Sequence, residues 1–176
     1  MEKILFTGRK CQLIMQCETA PSGLALQRVF MRHPGAVLIL PFVDEQTICM
    51  VRNHRRAVGK WLVELPAGTL ETDELPIATA HRELQEETGF TAKELKWLRQ
   101  FHPSPGLLSE TMHLYLATGL TPGTPHLADG EELESLLIPW EQAIHWAMDG
   151  TICDGKTLFA LLYWDRIRHQ YKGVMA

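Results

Sequence analysis

Segments in which apolar and polar residues alternate open the chain. In CQLIMQC (residues 11–17) every second residue is apolar or a cysteine, although Ile14 interrupts this two-residue period. A second segment, LALQRVFM (residues 24–31), follows the turn signal APSG. The pattern predicts short antiparallel strands over about the first 30 residues.

Continuous apolar runs follow and predict buried strands. AVLILPFV (residues 36–43) is apolar throughout, which is typical of a strand buried on both faces. TICMVR (residues 47–52) is expected to pair with it across the turn DEQ. KWLVELPAG (residues 60–68) predicts a further strand, which ends at Pro66 and Gly68.

Strands and helices alternate in the rest of the chain. Two strand-like segments (residues 95–103 and 111–120) precede a loop that is rich in Pro and Gly. One helix is predicted between Pro139 and Gly150, and an apolar one at residues 155–170. Together with an acidic helix earlier in the chain, these elements predict an α/β fold with a mixed β-sheet.

The acidic helix is predicted by GTLETDELPIATAHRELQEETGF (residues 68–90). Asp73 is the predicted N-cap, Pro76 suits the first turn, and Gly89 suits the left-handed position beyond the C-terminus. At about 100° per residue, one arc of about 100° carries three glutamates: Glu83, Glu86 and Glu87. The neighbouring apolar face is expected to pack on the sheet: Ile77, Ala80 and Leu84.

These glutamates occupy unfavourable positions. Like charges three and four residues apart destabilise a helix by a few tenths of a kcal/mol per pair, and the macrodipole disfavours anions near the C-terminus. Arg82, four residues before Glu86, is expected to offset only part of this cost. Two interpretations remain open: a solvated polar face, or a site for divalent cations, where carboxylate oxygens would favour Mg²⁺ or Mn²⁺.

Composition narrows the class of protein. The chain has 176 residues and a net charge of −4, which suits one domain, or one domain with an N-terminal extension, and gives no basic footprint for nucleic acid. We find no signal-peptide pattern and no apolar run approaching the roughly 18 residues that span a bilayer. The four cysteines lack metal-ligand spacing and are expected to be reduced core thiols in a cytoplasmic protein.

The acidic segment matches a known motif. Gly68, Glu74, the Arg82-Glu83-Leu84 triplet, the Glu86-Glu87 pair and Gly89-Phe90 fit every position of the Nudix box, G-x5-E-x7-R-E-U-x-E-E-x-G-U, in which U is apolar. The sequence therefore resembles Nudix hydrolases, which cleave a nucleoside diphosphate linked to another moiety. The resemblance implies an α/β/α sandwich with a mixed sheet, preceded here by the N-terminal antiparallel strands.

The same resemblance implies roles for the box residues. Glu83 and Glu87 would bind Mg²⁺ with help from Glu86, and Arg82 and Glu74 would orient the loop and helix. A further metal ligand would be the backbone carbonyl of Ala67, directly before the box.

Segments outside the box are similar to the ADP-ribose and nucleoside-diphosphate-sugar pyrophosphatase branch. VRNHRRAVGKWLVELPAG resembles its lead-in, with Asn53-His54 in place of the commoner Gln-Tyr, and Pro105 lies where this branch carries a proline. By resemblance, an acidic loop supplies the catalytic base or an extra metal ligand. We expect that residue to be Glu131, with Asp129 and Glu132 as alternatives, since the loop departs from the usual DEDE pattern.

The remaining candidates concern the substrate and the assembly. Arg55 is a candidate clamp for a phosphate oxygen, because a guanidinium matches phosphate bidentately. By resemblance, loop residues would contact the ribose or the metal: Glu71, Ser104 and Glu110. Arg28 and Arg32 could reach the site of a partner subunit, because residues 1–33 are expected to dock or swap onto a second copy. Residues 34–176 would then form the Nudix domain of a homodimer.

We therefore expect Mg²⁺-dependent hydrolysis of ADP-ribose or a related nucleoside diphosphate sugar, with Glu86, Arg82 and Glu131 as the catalytic residues. One alternative is a preference for a hexose substrate such as GDP-mannose or UDP-glucose. Another is a non-catalytic module that senses nucleotide sugars, and a third is a nucleotide-housecleaning or RNA-decapping enzyme. We expect neither a nucleic-acid nor a membrane partner.

Overall fold

The strands form three sheets in the computed structural model, which describes residues 1–127, 130 and 132–171. The elements run in the order β1 (Glu2–Thr7), β2 (Gln12–Thr19), β3 (Ala25–Arg32), β4 (Ala36–Pro41), β5 (Thr47–Arg55), β6 (Lys60–Glu64), β7 (Ala67–Thr69), α1 (Pro76–Thr88), β8 (Thr91–Phe101), β9 (Met112–Thr121), β10 (Leu133–Pro139), α2 (Trp140–Asp149), α3 (Gly155–Ile167) and a 3-10 turn (Arg168–Tyr171).

A mixed sheet of order β7-β4-β9-β8 forms the centre. β4 is buried along its whole length and runs parallel to β9, whereas β7 and β8 pair antiparallel to their neighbours. α1 covers one face, where Ala80 and Leu84 pack with Val37 and Ile39. The predicted α/β fold with a mixed sheet is therefore confirmed.

The expected pairing of β5 with β4 is wrong. A bridge between Phe42 and Ile48 lies next to the turn, beyond the end of β4, and β5 itself joins β10 and β6 in an antiparallel sheet. Both strands are apolar on both faces, so stacking in two layers buries more surface than a flat hairpin would. Leu40 of β4 and Met50 of β5 accordingly belong to the same core cluster.

The single strand expected at residues 60–68 is also divided. β6 ends at Glu64, the chain crosses between the sheets at Leu65 and Pro66, and β7 begins at Ala67 in the mixed sheet. Proline has no N–H to continue a ladder, which makes Pro66 a suitable crossing point. This crossing brings the PAG segment beside α1.

Helix boundaries mostly follow the sequence signals. α1 has Pro76 at its first position and ends at Gly89, whose φ of 77° is left-handed, and α2 likewise lies between Pro139 and Gly150. The N-cap prediction is wrong, because Leu75 occupies that position and Asp73 instead adopts φ 62° in the preceding turn. The predicted sheet-facing role of Ile77 is wrong too, since this side chain is 44% exposed.

The sequence analysis predicted no strand between the loop rich in Pro and Gly and the helix that begins near Pro139, where the structure has β10. The strand pairs with β5 from Leu133 opposite Asn53 to Pro139 opposite Thr47. Its apolar residues Leu133, Leu136 and Ile138 were the available signal. The second sheet, with α2 and α3, covers the face of the mixed sheet opposite α1 and shares one large core with it.

The N-terminal strands form a separate antiparallel sheet, as predicted. Several of its large apolar side chains are 43–66% exposed: Ile4, Leu5, Phe6 and Val29. All four cysteines of the chain are free, but only Cys49 is a buried core thiol, since Cys11 and Cys17 are partly buried and Cys153 is exposed. No helix in the described part of the chain is long and apolar enough to cross a membrane.

Candidate active site

Two carboxylates of α1, those of Glu83 and Glu87, lie against strand β7. A Cβ built on Gly68 would be 1.8 Å from Cδ of Glu83, so only glycine leaves room for this carboxylate. Glu87 is 7% exposed, and its Oε2 accepts the N–H of Ala67 at 3.0 Å. The backbone before the box and the glutamates of the helix therefore form one surface.

Arg82 lies at the centre of this surface. Its Nε and Nη2 donate to the two carboxylate oxygens of Glu74 at 3.0 and 2.9 Å, and its Nη1 donates to Glu83 at 2.7 Å and to Glu86 at 3.0 Å. Nη2 also reaches the carbonyl of Thr69 at 3.3 Å. One guanidinium thus contacts three carboxylates, two on its own helix and one in the preceding loop.

These contacts shift the protonation equilibria of both partners. Hydrogen bonds from Arg82 lower the pKa of Glu74 to about 2, and the carboxylates raise the pKa of Arg82. Ionised Glu74 thereby ties the loop that carries it to the helix. The orienting role of these two residues remains a prediction.

The negative charge of Glu87 on α1 also affects the protonation of a thiol on β5. Burial, together with the negative charge of Glu87, raises the pKa of the Cys49 thiol to about 12. Cys49 on β5 is therefore a neutral thiol, and its Sγ lies 3.8 Å from the carbonyl of Met50. It serves as packing under the acidic surface and supplies no thiolate.

The donor set suits a hard divalent cation. The predicted ligands are all oxygen atoms, namely the carboxylates of Glu83, Glu86 and Glu87 and the carbonyl of Ala67, as Mg²⁺ prefers. Among the described residues, no group of three His, Cys, Asp or Glu side chains is already arranged to hold a metal ion. Arg82 bonds to Glu83 and Glu86 in this structure, so binding a metal requires these carboxylates to reorient. Rotation about side-chain bonds allows this, and an all-oxygen donor set of this kind fits the ion.

A second charged cluster lies before the crossing at Pro66. Glu64 is 1% exposed and accepts bidentate hydrogen bonds from Nε and Nη2 of Arg55, with a further bond from Nζ of Lys156 at 2.7 Å. Lys156 also donates to Asp154 at 2.8 Å. Sequence reasoning named only Arg55. The available signal was a glutamate inside an otherwise apolar strand.

The other predicted substrate residues lie on loops. Glu71 is exposed, and its N–H donates to Glu74 at 3.1 Å, directly beside the Arg82 cluster. Glu110 is 15% exposed and lies 3.5 Å from His33. Ser104 is exposed, and its carbonyl accepts two backbone N–H groups within the 104–108 turn. Their substrate contacts remain predictions.

Arg28 and Arg32 lie apart from this cluster. Both point from β3 to acidic partners within the N-terminal sheet, Arg28 to Glu18 and Arg32 to Glu2. Their side chains are 64% and 44% exposed. The structure therefore does not bring them to the α1 carboxylates of their own chain.

The acidic loop is described only at its flanks. Glu131, the expected base, and its alternative Asp129 lie outside the described residues. Glu132 contacts Nη2 of Arg56 at 3.3 Å and Nδ1 of His54 at 3.5 Å, and its carbonyl accepts the N–H of His54. Which of the three acidic residues acts as the base remains a prediction.

Comparison with known proteins identifies similar chains. The model of the NUDIX domain family matches residues 31–159. An ADP-ribose pyrophosphatase of Bacillus subtilis (strain 168) and a methanol dehydrogenase activator of Bacillus methanolicus are each 37% identical over 161 residues, covering 90% of this chain and 87% of theirs. A GDP-mannose pyrophosphatase of Klebsiella pneumoniae is 34% identical over 150 residues, covering 78% of this chain and 73% of its own.

A solved structure shares the fold. The crystal structure of an ADP compounds hydrolase superposes with a TM-score of 0.79 at 22% identity, covering 97% of this chain and 93% of the other. At this identity the match supports the architecture alone.

Proposed function

Because the chain belongs to the NUDIX domain family, we propose that it hydrolyses the pyrophosphate bond of ADP-ribose or a related nucleoside diphosphate sugar in a Mg²⁺-dependent reaction. Water attacks one phosphorus, the P–O–P bond breaks, and the products are a nucleoside monophosphate and a sugar phosphate. The carrying observation is the acidic surface on which Glu83 sits against Gly68 while Arg82 contacts three carboxylates.

The residues divide the chemical work. Glu83, Glu86, Glu87 and the carbonyl of Ala67 would hold Mg²⁺, with Mn²⁺ as a substitute. The bound ion would neutralise phosphate charge and lower the pKa of water. Arg82 prevents repulsion among the glutamates before the ion binds and fixes the loop through Glu74.

Two further groups complete the proposal. Arg55 would donate to a diphosphate oxygen, because a guanidinium held in one plane matches phosphate geometry. Glu131 would take the proton from the attacking water. By resemblance, Glu71, Ser104 and Glu110 would contact the ribose or the metal.

A hexose-preferring activity is the second candidate. It is favoured by the similarity to GDP-mannose pyrophosphatases at 31–34% identity. The proposed site would bind the diphosphate that both substrate classes share, so the difference between them must lie in contacts to the base and the sugar.

A substrate panel tests the proposal. ADP-ribose, GDP-mannose, UDP-glucose, a dinucleoside polyphosphate and a nucleoside triphosphate are incubated with the full chain and Mg²⁺, and the products are separated by chromatography. We expect monophosphate and sugar phosphate from a nucleoside diphosphate sugar. Glu83→Gln should abolish this release, while Glu94→Gln, at an exposed position on β8, should retain it. Full turnover by folded Glu83→Gln protein would contradict the metal assignment.

We also propose a homodimer in the cytoplasm. The exposed apolar residues of the N-terminal sheet support association with a second copy, and Arg28 and Arg32 would then reach the partner's site. The free cysteines support a reducing compartment. Sedimentation of the full chain should give twice the monomer mass, and Phe6→Ser should shift it toward the monomer. A monomeric wild-type chain at micromolar concentration would refute the dimer.

A further inference from the structure

A buried charge network joins α3 to the strands that precede the Nudix box. Glu64 on β6 is 1% exposed, yet its two oxygens receive Nε and Nη2 of Arg55 and Nζ of Lys156. A carboxylate withdrawn from water requires such partners, because an unpaired buried charge is costly. Arg55 and Lys156, which are far apart in the sequence, therefore share the Glu64 carboxylate.

The first turn of α3 anchors the other side of this network. The Asp154 carboxylate caps the helix by accepting the N–H of Thr157 at 3.0 Å, and it accepts Nζ of Lys156 at 2.8 Å and the Thr157 hydroxyl at 2.6 Å. The same hydroxyl oxygen accepts the N–H of Leu65 at 2.9 Å. The start of α3 thus fixes both the chain crossing and the ammonium group that contacts Glu64.

Arg55 is the more exposed of the two cations in this network. Its side chain is 41% exposed, while its carboxylate partner is buried. The described hydrogen bonds of Arg55 use Nε and Nη2, which fixes the plane of the guanidinium through one edge. Hydrogen bonds to Glu64 raise the pKa of Arg55, and the negative charge of Glu87 on α1 adds a smaller contribution in the same direction.

We propose that Lys156 is a positioning residue for Arg55, the arginine proposed above to bind a diphosphate oxygen. By neutralising Glu64 and Asp154, Lys156 lets Arg55 keep one edge on Glu64 and present the other edge to a diphosphate. Without Lys156, Arg55 would be the remaining cation beside the carboxylates of Glu64 and Asp154. Their negative charge would draw its guanidinium inward, away from the diphosphate. The inference rests on the proposed function only where Arg55 meets the diphosphate.

Steady-state kinetics of the full chain with Mg²⁺ and ADP-ribose test this role. Lys156→Met should raise KM about tenfold with little change in kcat, within the range of coupling found for residues of one charge network. Lys156→Arg should restore most of the affinity, because it keeps the charge. Lys93→Met removes an exposed lysine from β8 and should leave both constants unchanged. An unchanged KM in folded Lys156→Met protein would overturn the proposal.

A readout without turnover separates this inference from the function itself. The Nε–H signal of Arg55 is assigned in ¹H–¹⁵N spectra by its loss in Arg55→Lys, and its exchange with water is measured in each variant. We expect exchange about tenfold faster in Lys156→Met than in wild type, because the guanidinium leaves its fixed position. Equal protection would overturn the proposal. Lys156→Gln, which keeps an N–H donor for Glu64, carries the same comparison if Lys156→Met does not fold. A wild-type chain that cleaves no nucleotide sugar would refute the proposed function, and the exchange rates would still decide the role of Lys156.

Discussion

Replacing Gly68 by alanine should disable the site without unfolding the protein. The new Cβ would lie 1.8 Å from Cδ of Glu83, and ordinary contact begins at 3.4 Å, so the carboxyl group must move by about 1.6 Å. Gly68 lies in a β-strand without a positive φ, so alanine fits its backbone. The atom that must move is the end of a flexible side chain, which leaves the core unaffected.

This displacement should reduce activity strongly. A misplacement of about 1 Å can cost about 10²-fold in rate, and we expect kcat to fall by at least about that factor. The free energy of unfolding should change by less than about 1 kcal/mol, since replacing glycine where the backbone permits it is neutral or stabilising.

The assay combines turnover of ADP-ribose, Mn²⁺ binding followed by electron paramagnetic resonance, and thermal unfolding. Gly155→Ala is the matched control, because a Cβ at this position meets open space and the φ of Gly155 is not positive. Wild-type kcat and Mn²⁺ affinity in Gly68→Ala would refute the reasoning, because they would mean that Glu83 does not need its place against the turn.

Three other predictions follow from the charged groups. Because the pKa of Glu74 is lowered to about 2, its ionised carboxylate stabilises the fold above about pH 4.5, and this contribution is lost as the pH falls toward 2. Glu74→Gln should therefore lower the free energy of unfolding by about 1–3 kcal/mol at pH 7 and flatten the acid side of the curve of stability against pH, as measured by urea unfolding. An unchanged acid side of this curve would contradict the pairing with Arg82. Glu64→Gln should destabilise by about 3–5 kcal/mol, because two cations lose their buried anion, and a loss below about 1 kcal/mol in denaturant titration would argue against this burial. Cys49 should resist a thiol reagent at pH 8 until the protein unfolds, whereas the exposed Cys153 should react at once. The labelled cysteines are identified by mass spectrometry, and rapid labelling of both would disprove the raised pKa of Cys49.

Local signals in the sequence were enough for the acidic helix. Gly89 ends α1 because only glycine adopts the left-handed position without strain, and the 3.6-residue period places three glutamates on one face. The N-cap prediction failed because Asp73 is also a good turn residue, and the preceding loop uses it in that role. Propensity alone does not choose between a cap and a turn.

Strand pairing was beyond the reach of the sequence pattern. The alternation and apolar runs located β4, β5 and β6, but they carried no information about which strand lies beside which. β10 was missed because the apolar and polar residues of LESLLIP do not alternate regularly, so its two-residue period is weak. Partners more than 70 residues away, such as β10 for β5, are chosen by the layers that bury the most surface.

The chain by itself determined the composition of the site: the glutamates of α1, their spacing and the glycine that precedes them. Only the tertiary structure decided that Glu64, Asp154 and Lys156 form a network around Arg55. The first result depends on the geometry of a single helix, which residue spacing fixes. The second depends on the Pro66 crossing and on the docking of α3, which bring residues 92 positions apart within hydrogen-bond distance.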